Sequence, residues 1–211
     1  GVTQTSDTVP TPATRPLSGI RVLDLSRVLS GPHCTRMLAD MGAEVIKVEP
    51  PAGDLTRFAT PRRNGLSSYF VQQNVGKQNL SLDLATPEGA EILLGLIEHA
   101  DVLVENYRPG VMTRLGLDAD AARARNPRLI YASISGYGQT GPSAPKPGFA
   151  SVCEGFGGFR YVNGFPGEPP VRPNLSIGDT HAGLHAAMGI LLAYINRNRP
   201  DGGSGQVVDV A

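Results

Sequence analysis

The sequence contains no tryptophan, two cysteines and no net charge, with 19 basic and 19 acidic side chains. Cys34 and Cys153 stand far apart, with no CxxC pair and no histidine at metal-ligand spacing. A disulfide scaffold and a zinc module are thereby excluded, and both cysteines read as buried free thiols, which suits a reducing, cytoplasmic setting. A neutral chain has no global field to recruit nucleic acid or an anionic membrane. No apolar run approaches the about 20 residues needed to span a bilayer. Residues 1–17 are rich in Thr, Ser and Pro and lack an apolar core, so they read as a disordered tail and not as a signal peptide. GxGxxG, Walker-A, GxSxG and HExxH strings are all missing. Dinucleotide or ATP binding, the α/β-hydrolase elbow and the helical zinc-protease motif therefore find no support.

What remains is a hydrophobic fraction of 40% in 211 residues, sufficient for one large core. Aliphatic Ile20–Leu25 reads as a strand, followed by a loop from Ser26 to Gly31. Pro32 is placed at the start of a helix that runs to Met41 and stops at Gly42. Glu44–Val48 is a second strand, which completes a βαβ unit. Pro50–Asn64 is a loop. Asn79–Leu84 reads as the next strand, and Thr86, Pro87 and Glu88 open a helix that reaches His99. Strands at Asp101–Glu105 and Leu129–Ser135 flank two short helices, at Val111–Leu115 and Asp118–Arg125. A Gly/Pro-rich stretch from Gly136 to Gly178 holds one possible helix near Phe149–Gly155. A loop of that length inside a compact domain is usually functional. A long helix from about Thr180 to Tyr194 follows, apolar on all sides and hence expected to be buried. Gln206–Val210 is the last strand. Because the chain stops within it, the C-terminal part of a longer protein is expected beyond residue 211. Strands alternating with helices predict an α/β fold with a mostly parallel sheet flanked by helices.

In a parallel sheet, ligands bind at the carboxyl ends of the strands. Those ends carry Arg27-Val28-Leu29-Ser30, Leu84-Ala85 and Asn106-Tyr107-Arg108, with Arg114 just beyond. Backbone amides, an amide side chain, an aromatic face and guanidinium groups there suit an adenine and phosphates. Asp179 stands at the mouth of the long helix, where it reads first as an N-cap and where the helix dipole would hold it ionised. His181 and His185 share a helix face and read as an ordinary boundary pair; no metal site is expected.

Four strings then carry a resemblance. VLDLSRVLSGP, GAEVIKVE, VENYRPG and the GD-x-x-AG motif of Ile177–Gly183 occur in the order found in the family III CoA-transferases, the CaiB/BaiF group, which also includes formyl-CoA transferase. The resemblance covers nearly everything after residue 18. It implies a Rossmann-like large domain whose smaller second domain is missing here. It implies Asp179 as the nucleophile in moving CoA from an acyl-CoA to a free carboxylic acid. CoA-binding positions implied by it are Val28, Leu29 and Ser30; Leu82, Asp83, Leu84 and Ala85; Asn106, Tyr107 and Arg108; and Arg114. CoA is then a substrate, with no tightly bound cofactor. An interlocked homodimer is implied for the full-length protein, and a glycine-rich loop beyond residue 211 would supply oxyanion donors.

The chain departs from the family at two places. Pro50 stands where many relatives carry Arg, and Pro147 (beside Lys146) where some carry a basic residue. The α-methylacyl-CoA racemases of the same family are the alternative reading, but they place a histidine where this chain has Phe149. A CoA-binding fragment without activity is a third reading. Arg160, Arg172 and Lys146 in the long loop are candidates to meet a second carboxylate, which would favour a dicarboxylic acid such as succinate, or else are solvated loop charges.

Overall fold

The computed structural model describes residues 15–211; most of the N-terminal tail inferred above lies outside the described residues. Leu17, assigned to that tail by its neighbours in sequence, packs in the core, and its N–H donates to the Met41 carbonyl at 3.0 Å.

Six strands form one sheet: β1 (Arg21–Asp24), β2 (Glu44–Glu49), β5 (Gln78–Ser81), β6 (Val102–Glu105), β7 (Ile130–Ile134) and β8 (Val207–Val210). Two-residue strands β3 (Arg62–Arg63) and β4 (Leu66–Ser67) make a separate small hairpin. The large sheet has the order β5-β2-β1-β6-β7-β8, and every pairing in it is parallel. The chain thus winds outward from β1 to one edge, returns to β6 beside β1, and winds to the other edge. That reversal makes a crevice at the carboxyl ends of β1 and β6, the place where ligands bind in such sheets.

Strand side chains alternate between two faces. Val22, Val45, Val104 and Ala132 point into one core, beneath α1 (Ser30–Asp40) and α7 (Ile177–Arg197). Leu23, Leu25, Leu103 and Tyr131 point into the other, beneath α3 (Pro87–Ile97) and α5 (Ala119–Arg125). The expected alternation of strands and helices is therefore present as a three-layer α/β fold. The strand after β2 is shorter than predicted: β5 ends at Ser81, and residues 82–85 turn, with Asp83 Oδ1 accepting from the Ala85 N–H at 3.0 Å. Pro32 is the third residue of its helix and not the first; no helical N–H is required in the first turn, so the proline costs nothing there. Between β2 and β5 lie a 3-10 turn (Leu55–Phe58) and α2 (Ser68–Asn74), neither of which the sequence announced. Both are short and capped by polar side chains, Asp54 and Ser67, and not by apolar periodicity.

Helix α7 departs from the expectation of burial on all sides. Ala186, Ala187, Ile190 and Ala193 face the core, whereas Leu184, Met188, Leu192 and Ile195 are each at least half exposed. Small residues on the inner face let α7 approach α1 closely. A Cβ on Gly183 would lie 2.5 Å from the Ser30 carbonyl oxygen, which is backbone and cannot swing away. Gly183→Val is therefore expected to lower stability by at least about 2 kcal/mol, read as a fall in the thermal unfolding midpoint. An unchanged midpoint would show that the two helices do not pack as described.

Candidate active site

The loop between β1 and α1 is built around a buried carboxylate. Asp24, the last residue of β1, has no exposed surface. Its Oδ1 accepts from the Ser26 N–H and hydroxyl, and its Oδ2 from Thr35 Oγ1 (2.7 Å) and Lys77 Nζ (2.9 Å). Burial alone would raise its pKa; Lys77 and Lys47 outweigh that and bring it down to about 2. A second buried pair stands beside the first. Lys47 Nζ lies 3.1 Å from Asp54 Oδ2 and donates to the Ser26 carbonyl at 2.9 Å. Asp54 Oδ2 also accepts from the Val28 N–H at 3.3 Å.

Val28 itself sits at φ +67°. A β-branched residue in that region is strained, and such strain persists only where the surroundings hold it. Here the holding groups are Asp54 on one side and Asn106 on the other. Asn106, just past β6, accepts from the Arg27 N–H (2.8 Å) and donates to the Arg27 carbonyl (2.7 Å) and Ser30 Oγ (3.3 Å). The Arg27 guanidinium lies 4.6 Å from the centre of the Tyr107 ring. Residues 27–30 and 106–107 are thus joined across the mouth of the β1/β6 crevice.

Leu29 and Ser30 are buried, Leu29 at the N-cap of α1 and Ser30 as its first residue. The other positions inferred for CoA contact occupy the same edge of the sheet without joining this cluster directly. Leu82 and Leu84 are half-buried against the second core, while Asp83 and Ala85 are exposed. That turn follows β5, two strands from β1, hence about 10 Å away at the usual strand spacing. Arg108 is exposed, as is Arg114 at the end of the one-turn helix α4 (Val111–Arg114). Glu49, the last residue of β2, holds Arg57 at 2.6 and 2.7 Å and accepts from the Asp54 N–H at 2.7 Å.

Asp179 reaches this edge from the opposite direction. Helix α7 leads into β8, so its N-terminus lies at the carboxyl ends of the strands. Asp179 is in its first turn; the N-cap position is taken by Ser176, which corrects the capping assignment. It stands one helical turn ahead of Gly183, the residue packed on Ser30. The expected hold on its ionised form is also corrected. Burial first, and Glu154 second, push the Asp179 pKa above the ordinary carboxylate value, against the pull of Arg172. The result is a more basic carboxylate than an exposed aspartate. Asp179 in turn acts electrostatically on Tyr69 of α2 and on Cys153 of α6 (Ala150–Phe156).

The sequence singled out none of Tyr69, Glu154 and Asp54. The available signal was charge or polarity out of place: Lys47 inside the apolar string EVIKV, Asp24 closing an aliphatic strand, and a glutamate in the short α6. Of the two histidines on one face of α7, His185 has its Nδ1 2.8 Å from the His181 carbonyl.

Comparison with known proteins sets this geometry in a family. The family model for CoA-transferase family III matches residues 17–211. The chain belongs to the family III CoA-transferases. It is 46% identical over 198 residues to a succinyl-CoA–D-citramalate CoA-transferase of Chloroflexus aurantiacus, covering 93% of this chain and 49% of that protein. It is 41% identical over 204 residues to a succinate–glutarate CoA-transferase of Agrobacterium fabrum, covering 93% and 50%. Among solved structures, a CaiB/BaiF family protein from Brucella suis superposes with a TM-score of 0.88 at 39% identity, over 93% of this chain and 53% of that one. The chain spans about half the length of these relatives. In this family member the described residues hold the β1/β6 crevice and Asp179 on one edge. Asn106→Ala removes three hydrogen bonds that tie the crevice together. It is expected to weaken acyl-CoA binding by the full-length protein about tenfold or more, measured by titration calorimetry. Unchanged affinity would remove the crevice from the account of CoA binding.

Proposed function

We propose that the full-length protein moves CoA from an acyl-CoA to a free carboxylic acid, with Asp179 as nucleophile. The observation that carries this reading is the position of Asp179: a half-buried carboxylate in the first turn of α7, its pKa raised by burial, one turn from where α7 packs on Ser30 at the start of α1. The Asp179 carboxylate attacks the thioester carbonyl, and CoA thiolate leaves. An acyl-aspartyl anhydride results. The thiolate then attacks the Asp179 carbonyl, releasing the first acid and leaving an aspartyl-CoA thioester. An incoming carboxylate attacks that thioester to form a new anhydride, and the thiolate attacks its acyl carbonyl to leave as the new acyl-CoA, freeing Asp179. Covalent catalysis of this kind divides one difficult exchange into easier steps.

Val28, Leu29, Ser30, Asn106 and Tyr107 are the groups we assign to the CoA moiety at the crevice, with residues 82–85, Arg108 and Arg114 along its length. We assign a dicarboxylic acid as the exchanging partner. The named activities of the relatives, succinyl-CoA–D-citramalate and succinate–glutarate transfer, support it, as do Arg160 and Arg172, which stand around Glu154, the carboxylate that acts on Asp179. The racemase alternative lacks its second proton carrier, since Phe149 bears no titratable group.

The test is an exchange assay. The full-length protein is mixed with succinyl-CoA and isotopically labelled succinate, and label is followed into the thioester. Label uptake obeying ping-pong kinetics is expected. No uptake, with deuterium entering the α-carbon of a 2-methylacyl-CoA instead, would replace this reading by the racemase.

A further inference from the structure

Among the described residues, Glu154 is a carboxylate that acts on Asp179 and has no part in the chemistry just described. It is 6% exposed, on α6, a short helix inside the long glycine-rich stretch. Its Oε1 faces the Gly178 N–H at 3.4 Å, on the residue just before Asp179. Its Oε2 is buried and accepts no hydrogen bond. Two guanidinium groups converge on that oxygen from outside hydrogen-bonding distance, Arg160 Nη2 at 3.8 Å and Arg172 Nε at 4.0 Å. Arg160 also donates to Ser151 Oγ, while its own Nε is buried and unpartnered.

A structural ion pair would be closed, with its N–H groups spent on the carboxylate. This one is open. The Arg160 Nε–H is a buried donor left unpaired, and such a donor is costly unless an acceptor completes it. In the aspartyl-CoA thioester that the acceptor meets, Asp179 carries no charge, so two positive charges against the one negative charge of Glu154 leave one over, enough for one further carboxylate. Guanidinium is the group whose fork matches a carboxylate in two-point contact.

We propose that Glu154 is a positioning residue that gathers Arg160 and Arg172 into a seat for the distal carboxylate of a dicarboxylic substrate, beside Asp179. The proposal rests on the transferase reading above and deepens it: the seat sets preference for a second carboxylate, whereas Asp179 does the chemistry. Glu154 keeps the two guanidiniums together against their mutual repulsion. Its contact with the Gly178 N–H ties the seat to the turn that carries the nucleophile. Without its charge the seat opens, and a substrate with a second carboxylate loses more than one without.

The test is a competition, which cancels the donor because all acceptors meet the same aspartyl-CoA thioester. The full-length protein receives unlabelled succinyl-CoA with equal amounts of labelled succinate and butyrate, acids of equal chain length and different carboxylate number. The ratio of labelled succinyl-CoA to butyryl-CoA is read. Glu154→Gln, which keeps the shape, is expected to lower that ratio about tenfold. Arg172→Gln alters a half-exposed side chain and leaves the buried carboxylate in place; it is expected to lower the ratio likewise.

The pH dependence of Asp179 loading separates a seat from a merely structural role. The charges facing Asp179 are Glu154 on α6 and Arg172 in the preceding loop, with Tyr69 of α2 and Cys153 of α6 as its other titratable neighbours. Glu154→Gln removes a negative neighbour and moves the acid limb to lower pH; Arg172→Gln removes a positive one and moves it to higher pH. Opposite shifts with a common loss of succinate preference support the seat. An unchanged ratio in variants that still load Asp179 overturns it alone. A wild-type protein that takes up no CoA on Asp179 overturns the transferase reading as well.

Discussion

Asp179→Asn in the full-length protein is expected to lower kcat for CoA exchange at least about a thousandfold. The substitution keeps the shape of the side chain and removes the nucleophilic oxygen. An amide cannot form the acyl anhydride, and the neighbouring carboxylate cannot take its place: Glu154 is buried with one oxygen turned to the Gly178 N–H. Binding of acyl-CoA should change little, because the crevice residues lie in the loops after β1 and β6 and at the start of α1, not on α7. The effect therefore falls on kcat and not on the dissociation constant, the pattern of a group used only in the reaction. Stability should not fall. Burial and Glu154 raise the pKa of Asp179, so above that pKa the folded state carries a charge it disfavours. The neutral variant is expected to unfold at the same temperature or higher at pH 7. A variant that retains a tenth of the wild-type kcat would remove Asp179 from the role.

Lys77→Met is expected to cost about 3–5 kcal/mol, the range found when one member of a buried ion pair is removed. Asp24 is left charged and without its main partner beneath the crevice loop, with Lys47 as the remaining nearby cation. At about 2–4 °C per kcal/mol for a chain of this size, the unfolding midpoint should fall by about 10 °C or more. The double variant Asp24→Asn with Lys77→Met should recover part of that loss, since the stranded charge is gone. Acid gives an independent check. Asp24 titrates near 2 in the fold against 3.8 for an unperturbed aspartate. Its contribution, about 2 kcal/mol, is present in full above pH ~4 and is lost as pH falls through about 2. Lys77 moves the other way, because burial lowers its pKa more than Asp24 raises it. The pair as a whole is thus worth less than the aspartate side taken alone. A Lys77→Met protein as stable as the wild type would mean that the β1–α1 loop is not held through Asp24.

Legibility in the sequence followed the length and apolarity of each element. The aliphatic strands and the helices α1, α3 and α7 announce themselves because apolar runs and proline- or glycine-bounded helices leave the chain few alternatives. Asn106 and Tyr107 were placed correctly at the crevice from one rule, that loops after parallel strands gather at one edge. What Asn106 does there, clamping both polar groups of the Arg27 backbone, is a tertiary fact that no spacing encodes. Helix α2 was missed because polar caps fix seven residues with little apolar periodicity to mark them. The burial of α7 was over-read, since apolarity on all sides says what a face tolerates and not what covers it. The ionisation of Asp179 was misjudged for a similar reason. The helix terminus is visible in the sequence, but the desolvation and the Glu154 carboxylate that outweigh it come from a segment 25 residues away whose path the sequence leaves open.

The most direct measurement is mass spectrometry of the full-length protein after reaction with an acyl-CoA in the absence of acceptor, with hydroxylamine or borohydride as the trap. The account predicts a modified peptide containing Asp179, absent in Asp179→Asn. Turnover of CoA between acids with Asp179 unmodified, or with the trap on another side chain, would contradict it.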